Sequence, residues 1–397
     1  MEELSLKEAA ERVGVTPATL RRWAQAGLVP EVDGGGRWTT AAVAHARVVA
    51  RLRERGHGLD EIRGAADQGR LAYGYIEDIF SSPEPLRSLS EVADSTDLEP
   101  ELIARFWGSL GLPAATIDQM TDEDVQALHY VSSVLAAGFP LVAFLQLCRV
   151  YGQAIAQIAD AEVRLFHLYV HEPLMREGVP GLQMAEEMEG LARDLLPLAS
   201  PLMDYVHQRY LRHFVEQDVV GHMETELDEE DVDLGRVRVA IAFADLAGYT
   251  RFTEEEGEEE ALSSVERFVE GVSNTVPEDA RVVKTIGDEV MVVGHDVRAL
   301  VDWAVGFVSL FDERPEPRIG VHFGTALYRD GDYFGREVNL ASRVVARARG
   351  GEVLVSDAVV AAVRDSSQHL AFEGIGQVKL KGFEQPRRLC RATLRER

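Results

Sequence analysis

Two aspartates stand where a strand gives way to a turn. In VRVAIAFADLAGYTRF (237–252), Val237, Val239, Ile241 and Phe243 alternate with Ala240, Ala242 and Ala244. That is the period of a strand whose larger residues share one face, leaving room above the alanines for something packed on the other. Asp245 follows in phase with the larger residues, so a carboxylate emerges where the strand ends. LAGYT then turns into a helix whose first backbone N–H groups suit phosphate. In VVKTIGDEVMVV (282–293), Gly287 and Asp288 lie between two β-branched runs, a hairpin signal. Either acid alone is an ordinary strand end or turn. If the strands are neighbours, the pair could hold two divalent cations. Two metals roughly 3.5–4 Å apart clamp the attacking and leaving oxygens of an in-line phosphoryl displacement.

Further along, RIGVHFGTALYRDGDYFGREVNLASRVVARARGGEVLVSD (318–357) reads as a strand, a Gly-Asp loop and a helix. Asn339 and Arg343 are four apart on that helix and share a face, which Arg347 extends. An amide beside a guanidinium can hydrogen-bond a ribose and a developing phosphorane charge. By themselves the same residues make an exposed polar face. The chain has 37 arginines and only 4 lysines, and one of the lysines, Lys284, stands four residues before Asp288.

Taken together, FADLAGYT, KTIGDEVM, GVHFG, DYFGREVNLASR and VKLKGFEQP, in that order, make residues of about 236–395 resemble the catalytic domain of class III nucleotidyl cyclases. The resemblance implies an α+β, ferredoxin-like fold and a wreath-like homodimer with active sites across its interface. It implies that Asp245 and Asp288 bind two Mg2+ or Mn2+ ions per site. Asn339 and Arg343 would come from the partner chain, to orient the ribose and stabilise the α-phosphate. Lys381, with Lys379 close by, would contact the terminal phosphates. Lys284 and Asp332 would read the base. Adenine presents N1 as an acceptor and its 6-amino group as a donor, which a lysine and an aspartate complement; guanine presents the reverse order. The pair therefore predicts ATP over GTP, and cyclisation to 3′,5′-cyclic AMP and pyrophosphate. None of His295, His322 and His369 falls in these motifs; each is read as structural, and no general base is named.

The elements before this region are helical. Ser5 and Glu8 make a capping box, Gly14-Val15 a turn, and Thr16 with Pro17 opens a second helix ending at Gly27. LKEAAERVGVTPATLRRWAQAGLVP resembles the MerR-type winged helix-turn-helix, which implies that Thr19, Arg21 and Arg22 enter the major groove of promoter DNA as part of a dimer. VDGGGRWTT (32–40) would be the wing, although it lacks the basic-aromatic repeat usual there. SLKEAAERVGVTPATLRRWAQAGLVP (5–30) aligns without a gap on SLSEVADSTDLEPELIARFWGSLGLP (88–113), matching at 7 of 26 positions. The second copy carries Leu102, Ala104 and Arg105 where the first has Thr19, Arg21 and Arg22, and reads as a packing module. Four regions are expected: residues 1–63, a MerR-like helix-turn-helix; 64–149, a degenerate second module; 150–232, a helical regulatory or dimerisation segment with an acidic linker; and 233–397, the cyclase domain. Residues 60–225 also loosely resemble the helical regulatory half of bacterial cyclases that respond to pH or lipid. Five of 11 histidines fall in 167–222, as a pH-sensing set or as polar positions of a bundle. HLYVH has the i,i+4 spacing of a metal pair, with no third ligand near it in sequence.

Composition bounds these readings. The 397 residues carry a net charge of −26, which argues against non-specific nucleic-acid binding by the whole chain, yet residues 1–63 hold 10 basic against 9 acidic residues. The acidic runs 224–233 and 254–260 read as solvated faces or linkers. No uninterrupted apolar stretch approaches the length of a membrane span. Cys148 and Cys390 read as buried thiols in a reducing compartment, so a cytoplasmic protein is expected. A MerR-type regulator whose cyclase-like domain senses nucleotide is the alternative to an enzyme.

Overall fold

Five helices of the first half start on a residue whose side chain caps them: Ser5, Thr16, Thr39, Ser88 and Thr121. The computed structural model describes residues 4–29, 38–71, 86–179, 181–225, 235–364 and 368–395. α1 (Leu6–Val13) opens on the Ser5–Glu8 capping box and stops at Gly14, whose φ of 76° is left-handed. α2 (Pro17–Gln25) follows the Thr16 cap, then come α3 (Thr40–Glu54) and α4 (Leu59–Asp67). Leu20, Trp23, Leu28, Val43, Val49 and Ile62 fill the core between them. The backbones of Leu4 and Trp38 exchange hydrogen bonds of 2.9 and 2.8 Å, closing the module. Most of the expected wing, residues 30–37, lies outside the described residues.

The same succession then recurs. α5 (Leu89–Thr96) opens on a Ser88–Glu91 capping box and ends at Asp97, left-handed at φ 56°. α6 (Pro100–Ser109), α7 (Asp122–Ala136) and α8 (Leu141–Phe166) follow, with Arg87 bridged to Met120. This module has its own core, centred on Ile103, Phe106, Trp107, Leu128 and Leu145. Gly152 is where α8 meets the end of α6, since a Cβ there would stand 2.2 Å from the Leu110 carbonyl oxygen. A π-helical turn, His167–His171, leads into α9 (Glu172–Arg176), and α10 (Gly181–Thr225) runs on through Pro197 and Pro201. The π turn rotates the two histidines of HLYVH into one another: their Nδ1 atoms are 3.0 Å apart, and His171 Nε2 is 3.1 Å from the Gly69 carbonyl oxygen. A carbonyl only accepts, so His171 carries its proton on Nε2 and His167 donates to it. Both ring nitrogens of His171 are thus used.

The run Leu141–Arg176 is long and apolar enough, by length and composition, to cross a membrane. Its first turns nevertheless bury Leu145 and Cys148 in a protein core. α8 and α10 also leave large apolar residues exposed, among them Tyr151, Ile155, Leu195, Leu198, Leu202 and Tyr205.

The chain divides into two compact units, Met1–Leu211 and Arg212–Arg397. The boundary expected near residue 232 falls outside the described residues. In the second unit β1 (Arg236–Leu246) leads through α11 (Tyr249–Glu256) and α12 (Glu258–Thr275) to the hairpin β2 (Ala280–Ile286) and β3 (Glu289–Gly294). α13 (Val297–Val308) and β4 (Pro317–Arg329) complete a βαββαβ core with sheet order β2-β3-β1-β4, the ferredoxin-like arrangement. β5 (Asp332–Phe334), α14 (Arg336–Val345), β6 (Val353–Ser356), α15 (Asp357–Val363), β7 (Leu370–Val378) and β8 (Arg387–Leu394) extend it. β6 is parallel to β4 and the remaining pairs are antiparallel.

The alternation in β1 works as its sequence implies. Ala240, Ala242 and Ala244 admit a layer that includes Phe268, Val301 and Phe307, while Val239, Ile241 and Phe243 face Val338, Ala341 and Val345 of α14. α14 sits so close to β4 that a Cβ on Gly320 would fall 2.2 Å from the Val345 nitrogen. Glycine is required there by contact.

Candidate active site

β1 pairs with β3 on one side and β4 on the other, setting Asp245 opposite both Glu289 and Arg318. The Leu246 N–H donates to the Asp288 carbonyl oxygen at 3.3 Å, which stitches the β2–β3 turn to the end of β1. Gly287 takes φ 62° at the first turn position, and Asp288 follows without a positive φ, as in a type II′ hairpin. The two aspartates, 43 residues apart, thereby come within hydrogen-bonding reach. Burial, then the Asp245 charge, hold the Asp288 carboxyl above its ordinary range. Burial and the charges of Asp245 and Asp288 do the same to Glu289.

Arg318 is the local counter-charge. Its Nε donates to Asp245 Oδ2 at 2.6 Å and its Nη1 to the Ala348 carbonyl oxygen at 3.2 Å. A strand end that gathers three carboxylates and draws in a guanidinium has the charge and the oxygen-only donor set that hard divalent cations select. Among the described residues no group of three or more His, Cys, Asp or Glu is arranged for a metal ion. A cation on the aspartate pair would therefore complete its shell with phosphate oxygens and water, as Mg2+ commonly does.

Lys284 Nζ and Asp332 Oδ2 form an ion pair, joining β2 to β5. A β-bulge brings this about. Arg281 pairs with Val293 and Lys284 with Met291, so one extra residue on β2 puts two side chains three apart on one face. The other Asp332 oxygen accepts the Tyr333 N–H at 2.7 Å.

Asn339 and Arg343 stand on the exposed face of α14, opposite its buried Val338, Ala341 and Val345. Arg343 is near enough to Glu289 for its charge to act there. Lys381 does not join the aspartates. It lines a cleft with Arg347, Lys379 and Phe383, to which neither aspartate contributes. The Arg347 Nη2 donates to the Lys379 carbonyl oxygen at 2.7 Å, holding that strand exit against α14. His322 is buried between Ser356 (2.7 Å) and Glu337 (2.6 Å), and His369 pairs with Asp302 at 2.7 Å. In the first unit Arg21 and Arg22 are exposed on α2, and Thr19 Oγ1 lies 2.9 Å from Thr16 Oγ1.

Residues 235–390 match the adenylate and guanylate cyclase catalytic domain, 31–215 an adenylate cyclase regulatory domain, and 5–38 the MerR family of regulatory proteins. An adenylate cyclase of Streptomyces coelicolor is 33% identical over 291 residues, covering 71% of this chain and 73% of that one. The chain belongs to the class III adenylate cyclases. A pH-sensitive adenylate cyclase of Mycobacterium tuberculosis is 30% identical over 369 residues, 90% of this cyclase and 89% of the relative. Among solved structures, the adenylyl cyclase CyaB from P. aeruginosa aligns at 24% identity and a TM-score of 0.37, over 41% of this chain and 96% of that one.

Arg318, Glu289, Arg281 and Tyr333 carry no signal in the sequence for the contacts they make. Arg318 opens the quoted RIGVHFG motif, so its presence was visible; its partner was hidden in the strand register.

Proposed function

We propose that this cyclase converts ATP to 3′,5′-cyclic AMP and pyrophosphate at composite sites of a homodimer. The observation that carries the reading is that one sheet presents two pairs, Asp245–Asp288 at the end of β1 and Lys284–Asp332 on the adjoining hairpin face, so that in the dimer Lys284 reads the base of one site while Asp288 serves the other. Asp245 and Asp288 would hold two Mg2+ or Mn2+ ions, which when bound activate the ribose 3′-hydroxyl and neutralise the triphosphate. Lys284 donates to adenine N1 and Asp332 accepts from the 6-amino group. Asn339 of one chain orients the ribose bound by the other, and Arg343 meets the charge that develops on the α-phosphate. Lys381 binds the terminal phosphates. The 3′-hydroxyl gives up its proton to solvent, the O3′–Pα bond forms as the bond from Pα to the bridging oxygen breaks, and pyrophosphate carries away that electron pair. Positioning and electrostatics supply most of the acceleration.

Two features support the dimer. Asn339 and Arg343 project from an exposed helix face. Leu191, Leu195, Leu198, Leu202 and Tyr205 stand exposed on α10 at alternating spacings of four and three, the seam of a two-helix contact. The helical half then serves as the regulatory part, its second module packing and its first setting geometry. Purified full-length protein with Mn2+ and ATP, products resolved by chromatography, is the test; absence of cyclic AMP ends this reading.

A second reading, promoter binding by residues 1–63, draws on exposed Arg21 and Arg22 in a segment matching the MerR family over residues 5–38. It requires a gel shift that weakens steeply with salt. No shift at low salt on any promoter fragment ends it.

A further inference from the structure

The β2 bulge that aims Lys284 at Asp332 also aims Arg281 at a cage of three rings. The Arg281 guanidinium carbon lies 5.3 Å from the centre of Phe214, 5.5 Å from Tyr328 and 5.5 Å from Tyr333, and its Nη2 donates to the Tyr333 hydroxyl at 2.9 Å. Tyr328 and Tyr333 are cross-strand partners on β4 and β5 with ring centres 5.1 Å apart. Phe214 comes from the last turns of α10. Gln217, on the same helical face, fastens that end by donating to the Glu278 carbonyl oxygen just before β2. Tyr333 in turn supplies the backbone N–H that holds Asp332, whose other oxygen takes Lys284.

We propose that Arg281 is a positioning residue for base recognition: by gripping Tyr333 it sets the Asp332 carboxylate, and Phe214 of α10 completes the grip, so that the helix end tunes nucleotide affinity and selectivity. The inference rests on the adenine-reading role given above to Lys284 and Asp332. Its physical basis is that a guanidinium stacked on rings and hydrogen-bonded to a phenol is fixed in orientation. Removal of one wall lets it turn, and Tyr333 loses its anchor. The effect falls on binding, because neither Arg281 nor Tyr333 touches the reacting atoms.

The test uses the full-length protein as wild type, Tyr333→Phe, Phe214→Ala, Phe214→Tyr and the Phe214→Ala/Tyr333→Phe double variant, with kcat and KM measured for ATP and GTP. Each of the two disruptive single changes is expected to raise KM for ATP about 3–5-fold, the loss of about one hydrogen bond, with kcat within about twofold. Each should also narrow the preference for ATP over GTP. The double variant should fall well short of the product of the singles, because both act through Arg281. Phe214→Tyr, which keeps the ring, should retain the wild-type KM. Unchanged KM in both single variants overturns the proposal, as do multiplicative effects of equal size on both nucleotides, or a loss confined to kcat. Wild-type protein that makes no cyclic AMP removes the adenine-reading role together with this inference. Wild-type turnover with insensitive variants removes only the inference.

Discussion

The strand end of the catalytic half and the core of the first helical module bury titratable groups that respond to acid in opposite ways. In the catalytic half Asp288 and Glu289 have raised carboxyls, crowded at one strand end. The unfolded chain gives up those protons first, so the contribution of these two groups is lost as pH rises from the ordinary carboxylate range through their folded values, while buried His322 of the same half, pushed down by desolvation, acts in the opposite sense. In the helical half the notable group is His45, buried on α3 and pushed down to about 4 by desolvation. The unfolded chain binds that proton first, so the contribution of this group is fully present above about pH 6.5 and is lost as pH falls toward 4. One half concentrates charge to do chemistry; the other excludes it to keep a core. Asp245 gathers Asp288, Glu289 and Arg318 around it.

The sharpest way to break this contrast is to remove the acid at the strand end. Asp245→Ala should lower kcat/KM by about 10³-fold or more while leaving the fold and dimer intact, measured by cyclic AMP formation beside a melting curve and sizing. Near-normal turnover would reject the cation role. Next, Arg343→Ala should cost about 10²–10³-fold, the range for losing one group that meets developing charge. Because Arg343 and Asp245 would serve one site from two chains, equal mixing of the two inactive variants should restore about a quarter of wild-type activity, since half the dimers carry one whole site. No recovery would show that each chain acts alone.

His45 sharpens the helical side. A shift from 6.5 to about 4 is worth roughly 3 kcal/mol of stability, lost between those pH values. His45→Gln should flatten the fall in stability of the first unit over that window, followed by denaturation monitored at several pH values; an unchanged slope would place the acid response elsewhere. The smallest effect is expected at the base pair. Lys284→Glu should lower the preference for ATP over GTP by about 10–100-fold, chiefly through ATP, in competition assays with both nucleotides. An unaltered ratio would leave the selectivity to other residues.

The capping boxes at Ser5 and Ser88, the alternation of β1 and the turn at Gly287 are local rules, and each took the form its residues predict. The recurrence of the helix-turn-helix pattern was legible for the same reason: caps, prolines and apolar periods repeat even where only 7 of 26 residues match. HLYVH shows the limit. Its spacing is that of a metal pair on an α-helix, but a π turn changes the rotation per residue and spends both rings on hydrogen bonds. Lys381 stands at a loop exit, which carries no period to say that it lines a cleft with Arg347, Lys379 and Phe383.

What the amino acids alone determined is the inventory: two acids at strand ends, a lysine on a hairpin, an amide and a guanidinium one helical turn apart, and caps such as Ser5, Thr16 and Ser88. These follow from interactions within a few residues, where spacing is geometry. Tertiary structure alone decided the pairings. The register of β1 against β3 and β4 placed Arg318 on Asp245 and raised Asp288, and one extra residue in β2 turned Lys284 and Arg281 to the same side. Register is set by burial summed over a whole sheet, and a slip of one residue exchanges its faces, so no local window of sequence can fix it.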